Sequence, residues 1–468
     1  MTTLHGYRGI LLDYVGDPTS SPGALRLEED GLLIVQDGMI HARGSYSELC
    51  RLHPQIDLVD YRGKLILPGF IDGHIHYPQT GMIAAYGEQL LEWLERYTFP
   101  TERRFGDPVY ATRVAETFAT ELVRHGTTTA VVLCTVHPES VDALANVALR
   151  RNLRLVLGKV LMDRNAPADL CDTPERAYTE SKTLIERWHG RGRLHYAITP
   201  RFAPTSTPEQ LKVAGELWRE HPSTYIHTHL SENQAEITWA LSLFPECASY
   251  TDIYDHYGLV TAKSIFAHGV HLTGTELRTL AGQHSTLAFC PTANLFLGSG
   301  LFPYRHVSDA GVAVVLGTDV GAGTSFSLLR TLSEAYKVLQ LQGQRLSVHH
   351  GLYWATLGGA KALGLESVVG NFEAGKDADF VVLDLESTPL LRVRSAEARD
   401  LDERLFALMM LGDDRAVYAT YLAGALAHSS LGALTHDALG ALTHDARGAL
   451  THDLAGADAP PKPGGYSA

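Results

Sequence analysis

From Pro68 to about residue 369, short apolar runs bounded by turn residues alternate with segments whose apolar positions recur at helical spacing. Eight of the runs are predicted as strands: Phe70–His76, Thr128–Cys134, Arg154–Leu161, Leu194–Thr199, Thr224–Leu230, Ser264–His268, Thr286–Cys290 and Val312–Thr318. A continuous apolar run of that length suits a strand buried on both faces, as in a parallel sheet covered by helices. The segments Glu88–Tyr97, Val109–Arg124, Ser140–Arg150, Pro174–Trp188 and Glu232–Leu243 carry the helical spacing. Thr207-Pro208-Glu209-Gln210 predicts a further helix start, with a capping box and a proline in the first turn. Eight strand–helix units in about 300 residues predict an α/β fold, a (β/α)8 barrel of the TIM type.

The flanks have a different rhythm. Residues 1–67 contain short strands, Tyr7–Val15, Leu25–Val35 and Leu58–Leu67, broken at Gly31, Asp37-Gly38 and Arg62-Gly63. Strand-like spacing returns in residues 370–428, at Asp379–Asp384 and Ala416–Leu422. A catalytic barrel over 68–369, flanked by a small β-sandwich domain built from both chain ends, accounts for this order. Residues 429–468 are distinct again. Leu431–Ala438, Leu439–Ala446 and Arg447–Leu454 are near copies of one octapeptide, carrying His436-Asp437, His444-Asp445 and His452-Asp453. Eight residues is no period that lines ligands along one face, and three such units are too few for a repeat fold. A disordered, functionally idle tail is expected.

Composition narrows the partners. The 468 residues carry a formal net charge of −14, with 39 Lys+Arg against 53 Asp+Glu. That sign repels phosphate backbones and anionic lipid, so neither a nucleic acid nor a membrane is expected. No apolar run is long enough to span a bilayer, and Met1–Asp17 lacks the basic-then-apolar pattern of a secretory signal. The five cysteines, Cys50, Cys134, Cys171, Cys247 and Cys290, are scattered and odd in number, which fits reduced thiols in the cytoplasm.

Candidate chemistry lies at the carboxyl ends of the strands, where a barrel enzyme keeps its active site. His74 and His76 end the first strand, two residues apart and therefore on one side of it, so both imidazoles point into the barrel mouth. His229 ends the fifth strand, with His227 as a rival on the same face and Glu232 three residues on. His268 ends the sixth and Asp319 the eighth. Neutral histidines gathered with a carboxylate are a donor set for a divalent metal.

This constellation resembles that of the amidohydrolase superfamily, and longer strings resemble its guanine deaminase branch. These are His76-Tyr77-Pro78-Gln79, Gly87-Glu88-Gln89-Leu90-Leu91-Glu92-Trp93-Leu94, Tyr97-Thr98-Phe99-Pro100-Thr101-Glu102, Met162-Asp163-Arg164-Asn165-Ala166-Pro167, Thr199-Pro200-Arg201-Phe202-Ala203-Pro204-Thr205, Asp319-Val320-Gly321-Ala322-Gly323 and Gly370-Asn371-Phe372-Glu373-Ala374-Gly375-Lys376. By that likeness the metal ligands are His74, His76, His229 and Asp319, because the family's His-x-x-Glu pattern selects His229 over His227. Binuclear relatives place a lysine at the end of strand four, where this chain has Thr199-Pro200-Arg201. One Zn²⁺ per chain is the implied cofactor, making hydroxide available near neutral pH. Glu232, His268 and Asp319 are the implied catalytic residues: Asp319 accepts a proton from water, Glu232 carries protons to the ring and the leaving amine, and His268 orients the nucleophile. Gln79, Arg201 and Phe202, with His229, Glu232 and Asp319, are the implied contacts to the substrate. The activity implied is hydrolysis of guanine to xanthine and ammonia, in purine catabolism, by a homodimer. The alternatives are a relative acting on another N-heterocycle and a catalytically dead homologue, although no ligand position is lost.

Overall fold

The computed structural model describes residues 3–87 and 89–431. The octapeptide copies, apart from Leu431, and Glu88 lie outside the described residues, and so does the expectation made for the tail. Sixteen strands run in chain order among the described residues: β1 His5–Tyr14, β2 Leu25–Gln36, β3 Met39–Ser45, β4 Asp57–Pro68, β5 Phe70–His76, β6 Thr127–Leu133, β7 Arg154–Gly158, β8 Val160–Leu161, β9 Leu194–Pro200, β10 Tyr225–Leu230, β11 Ser264–His268, β12 Thr286–Phe289, β13 Ala313–Leu316, β14 Phe380–Leu383, β15 Val417–Leu422 and β16 Ala425–Ser429.

The barrel is the parallel series β5-β6-β7-β9-β10-β11-β12-β13, with helices between the strands. Alternation along the strands sorts the side chains. Ile71, Val131, Val156, Ala197, Tyr225, Ile265, Ala288 and Val315, one from each strand, belong to the interior cluster. Residues of the other parity, such as Ala130, Leu155, Tyr196, Ile226, Phe266 and Leu287, pack with the helices. Strand three is shorter than its hydrophobic run: Lys159 interrupts it, and β8 pairs only with β9. The buried ammonium of Lys159 turns away to the carboxylate of Asp172, which also accepts from Gln210 Nε2 at 2.7 Å. The helix Pro208–Glu220 is capped by Thr207, but the side chain of Gln210 goes to Asp172, so the expected reciprocal capping box is half made.

Closure brings the two ends of the barrel together just beyond the last strand. Asp319 N donates to His74 O at 2.8 Å, and His76 N donates to Val320 O at 2.9 Å. Buried Asp72 reinforces the seam, accepting from His74 N at 3.2 Å and Thr318 N at 3.1 Å. The approach is possible because Gly73 has no side chain; a Cβ there would lie 2.2 Å from Val315 Cγ1.

The flanking unit is one seven-stranded sheet, β16-β15-β14-β4-β1-β2-β3, with β1 and β4 parallel and the other neighbours antiparallel. It curls over its own core until the β2–β3 turn meets the β15–β16 turn, where Ala378 N donates to Gly38 O and Gly424 N to Ala378 O, both at 2.9 Å. The rings of Tyr7, Phe380 and Tyr421 fill the fold, with centroids 4.3 to 4.9 Å apart. The strand β3 and the helix Tyr46–Leu52 between β3 and β4 escape the hydrophobic pattern, since neither carries a clean apolar alternation.

Candidate active site

Strand geometry aims the chemistry inward. On β5 the pairing with β6 slips between Asp72 and Ile75, and this bulge changes which parity faces inside. Ile71 packs in the interior before it, Ile75 packs outward after it, and His74 and His76 therefore enter the barrel. On β10, Tyr225 is interior and Ile226 exterior, so His227 and His229 share the inner face. His268 has the wrong parity, following exterior Phe266 by two. A φ of 76° turns its ring back into the mouth. Asp319 also has a left-handed φ, 50°. Two non-glycine residues in that region cost backbone energy and are held by the packing around them.

Four side chains converge. His74 Nε2 and His76 Nε2 lie 3.2 and 3.3 Å from Asp319 Oδ1, and His76 Nε2 lies 3.2 Å from His229 Nε2. Ligand atoms about 2.0–2.2 Å from one ion stand roughly 3–3.5 Å from each other, so these spacings fit a shared divalent cation. His74 Nε2 is buried without a hydrogen bond although Asp319 is close, as a ligand atom aimed at an ion would be. His229 Nδ1 contacts Arg201 O at 2.6 Å, so the ring proton is on Nδ1 and the Nε2 lone pair is free. His227, the rival on the same strand, places its Nε2 against His74 Nδ1 at 2.7 Å, on the ring nitrogen of His74 away from Asp319. Burial pushes the His229 and His76 imidazoles toward the neutral form that ligation requires.

Beside this set stand two carboxyl groups with opposite leanings. Burial, helped by the charges of Asp319 and Glu236, pushes Glu232 well above the ordinary carboxyl range. Burial also acts to raise Asp319, but the imidazoles of His74, His76 and His268 close to it outweigh it and hold the group well below its usual value. The two groups are biased apart, Glu232 toward the acid and Asp319 toward the base. Ser299 Oγ donates to Glu232 Oε1 at 3.0 Å. His268, pushed down to about 3 by burial, places Nε2 3.4 Å from Glu232 Oε2 and 3.8 Å from Asp319 Oδ2. Its Nδ1 accepts from Asn294 Nδ2 at 3.0 Å, leaving the ring proton on the nitrogen that faces the two carboxyl groups. Glu232 precedes the helix expected to begin with it. The helix runs Gln234–Leu243, because Asn233 and Glu236 form the capping box and Glu232 N is tied to Glu236 Oε2 at 2.9 Å.

A cavity opens onto these groups, and His76, His229, Glu232, His268 and Asp319 form part of its lining. Gln79, Arg201 and Phe202, which the resemblance implies as substrate contacts, line it, and all three are buried. Leu90, Trp93 and Leu94 close another side. They belong to a helical run over 90–102 whose middle, Leu94–Thr98, is a π turn, so the predicted helix Glu88–Tyr97 starts later and continues further. Four polar residues of the site are not singled out by the sequence pattern: Glu102, which binds both Gln79 and Arg201, Glu236, Ser299 and Asn294. Only Glu102 falls within a string that resembles the family.

The model of the amidohydrolase family matches residues 65–427. A guanine deaminase of Escherichia coli (strain K12) is 53% identical over 430 residues, 91% of this chain and 98% of the relative. Among solved structures, the E. coli guanine deaminase superimposes with a TM-score of 0.88 at 50% identity, covering 91% of this chain and 99% of its own. A guanine deaminase from C. acetobutylicum with guanine bound in its active site superimposes with a TM-score of 0.82 at 28% identity, covering 91% and 100%.

Proposed function

The chain belongs to the amidohydrolase family, and on that premise we propose that it hydrolyses guanine with water to xanthine and ammonia. One observation carries the reading: a metal-type donor set and two oppositely biased carboxyl groups share a cavity whose wall bears a buried guanidinium and a buried amide.

His74, His76, His229 and Asp319 would hold one ion. Three imidazoles and a carboxylate suit zinc among the divalent metals. Bound there, zinc would supply a water whose pKa is lowered toward ~7. The chain's own groups supply the rest. Asp319, ionised, takes a proton from the attacking water. Glu232, protonated, gives its proton to the ring nitrogen beside the reacting carbon, then takes the second proton from the attacking oxygen and passes it to the departing amine, so that ammonia leaves neutral, and the proton held by Asp319 returns to Glu232. His268 orients the reactants between the two carboxyl groups. Arg201 donates to the purine carbonyl, Gln79 meets the adjoining edge, and Phe202 covers the ring. The proton taken by Asp319 and those passed by Glu232 balance, and neither carboxyl group is consumed.

The test is ammonia and xanthine formation from guanine by the purified protein, with elemental analysis of the same sample. Turnover with one zinc per chain is expected. Turnover of a triazine but not of guanine would replace the substrate, and two ions per chain in active protein would overturn the mononuclear centre.

A further inference from the structure

Glu102 reaches the cavity wall from outside the catalytic set. It ends the short helix Phe99–Glu102, and its carboxylate is fully buried. Arg201 Nη1 donates to Oε1 at 3.0 Å and to Oε2 at 2.8 Å, and Gln79 Nε2 donates to Oε1 at 3.0 Å. A carboxylate taken out of water is tolerable only when its charge is matched and its lone pairs are used, and both conditions are met here. Gln79 is held from its other end as well, for Gly321 N donates to Gln79 Oε1 at 3.2 Å.

These two partners are one-way. A carboxylate can only accept and a backbone N–H can only donate, so together they decide which end of the Gln79 amide is nitrogen and which is oxygen. Arg201 gives Nη1 to Glu102, while its Nε and Nη2 make no hydrogen bond within the described residues. Both side chains line the cavity. The wall therefore offers a substrate a pattern of donors whose direction is set by Glu102, with Gly321 N at the other end of Gln79.

We propose that Glu102 is a positioning residue for substrate selection: by clamping Arg201 and Gln79 it fixes a donor pattern that favours a purine with a carbonyl acceptor on the edge away from the reacting carbon. The inference rests on the guanine reading above and deepens it. Glu102 is not among the residues that line the cavity, whereas Gln79 and Arg201 are. Its removal should loosen recognition and leave proton transfer through Glu232 and Asp319 in place. In Glu102→Gln the replacement amide can donate as well as accept, so Gln79 is held one-way by Gly321 N alone and Arg201 loses its counter-charge.

The experiment compares the metal-loaded parent with Glu102→Gln and Glu102→Asp. It measures kcat and KM for guanine, Ki for 2-aminopurine (which lacks the carbonyl) as a competitive inhibitor, metal content and melting temperature. For Glu102→Gln, KM for guanine should rise about ten- to hundredfold, as expected for a weakened charge-assisted hydrogen bond, with kcat changed by less than about threefold. Ki for 2-aminopurine should move by less than about threefold, so the preference for the carbonyl purine collapses. Glu102→Asp keeps the charge and should fall between Gln and parent. It also carries the test if the Gln variant does not fold. Equal weakening toward both purines, or a fall in kcat at constant KM, overturns the proposal in favour of a structural or chemical role. Absence of guanine turnover in the parent would instead overturn the functional reading on which the proposal stands.

Discussion

Glu232 and Asp319 share one cavity, yet the first is biased to hold its proton and the second to lose it. Replacing Glu232 by Gln keeps the size and the hydrogen bond from Ser299 but removes the proton carrier. Because Glu232 is outside the four proposed ligands, metal content should be unchanged while kcat falls by ~10²–10⁴. Loss of the ion in that variant would put Glu232 among the ligands and undo the assignment. The metal-type residues are legible in the sequence because strand ends collect them: His74, His76, His229, His268 and Asp319 each stand at or just beyond the end of an apolar run. Their supports are not legible there. Glu102 meets partners 23 and 99 positions away, Ser299 meets one 67 away, and Asn294 looks like any helical asparagine until His268 is placed beside it. Arg201 illustrates both sides. A role at the substrate and an ion pair with an acid look like competing fates for one guanidinium, and the structure has the ion pair made by Nη1 and the cavity lined by the same side chain.

The strands are legible as elements, since buried parallel strands are near-continuous apolar runs, but departures from regularity are not. The slip on β5 that aims the two histidines, and the left-handed φ that turns His268, come from packing between distant segments rather than from local preference. The same holds for Gly73, which lies inside a predicted strand and is the contact point of the closing seam. A methyl group there would overlap Val315 and push β5 from β13, separating His74 from Asp319. Gly73→Ala is therefore expected to cost about 1–3 kcal/mol of stability, as overpacking does, and to weaken metal retention with it. The comparison is Gly282→Ala, at the end of the helix Gly274–Gly282, where an added Cβ meets open space. That variant should match or slightly exceed the parent in chemical denaturation. A Gly73→Ala protein with parental stability and parental metal content would show that the seam has room the geometry denies.

At the scale of the whole molecule, the small sheet needs both chain ends and the barrel needs neither tip of the chain. β15 and β16 complete the sheet: Tyr421 stacks on Phe380, and Thr420 Oγ1 donates to Val123 O at 2.7 Å, tying the sheet to the helix Pro108–Arg124 of the barrel. The pairing of β15 with β16 ends at Ser429, and Ser430 N still donates to Tyr418 O at 2.9 Å. Every converging ligand, both carboxyl groups and the whole cavity wall lie before that point. A chain ending after Leu431 should thus keep the parental melting temperature, kcat/KM for guanine and metal content, even though it lacks His436, His444 and His452. A chain ending after Ala416 removes both strands and exposes the apolar face of β14, and it should melt well below the parent or fail to fold. The pair separates two ideas. If the first truncation loses stability, activity or metal, the octapeptide copies dock on the enzyme or feed its metal site. If the second keeps all three, the sheet is not the partner of the barrel that its hydrogen bonds make it.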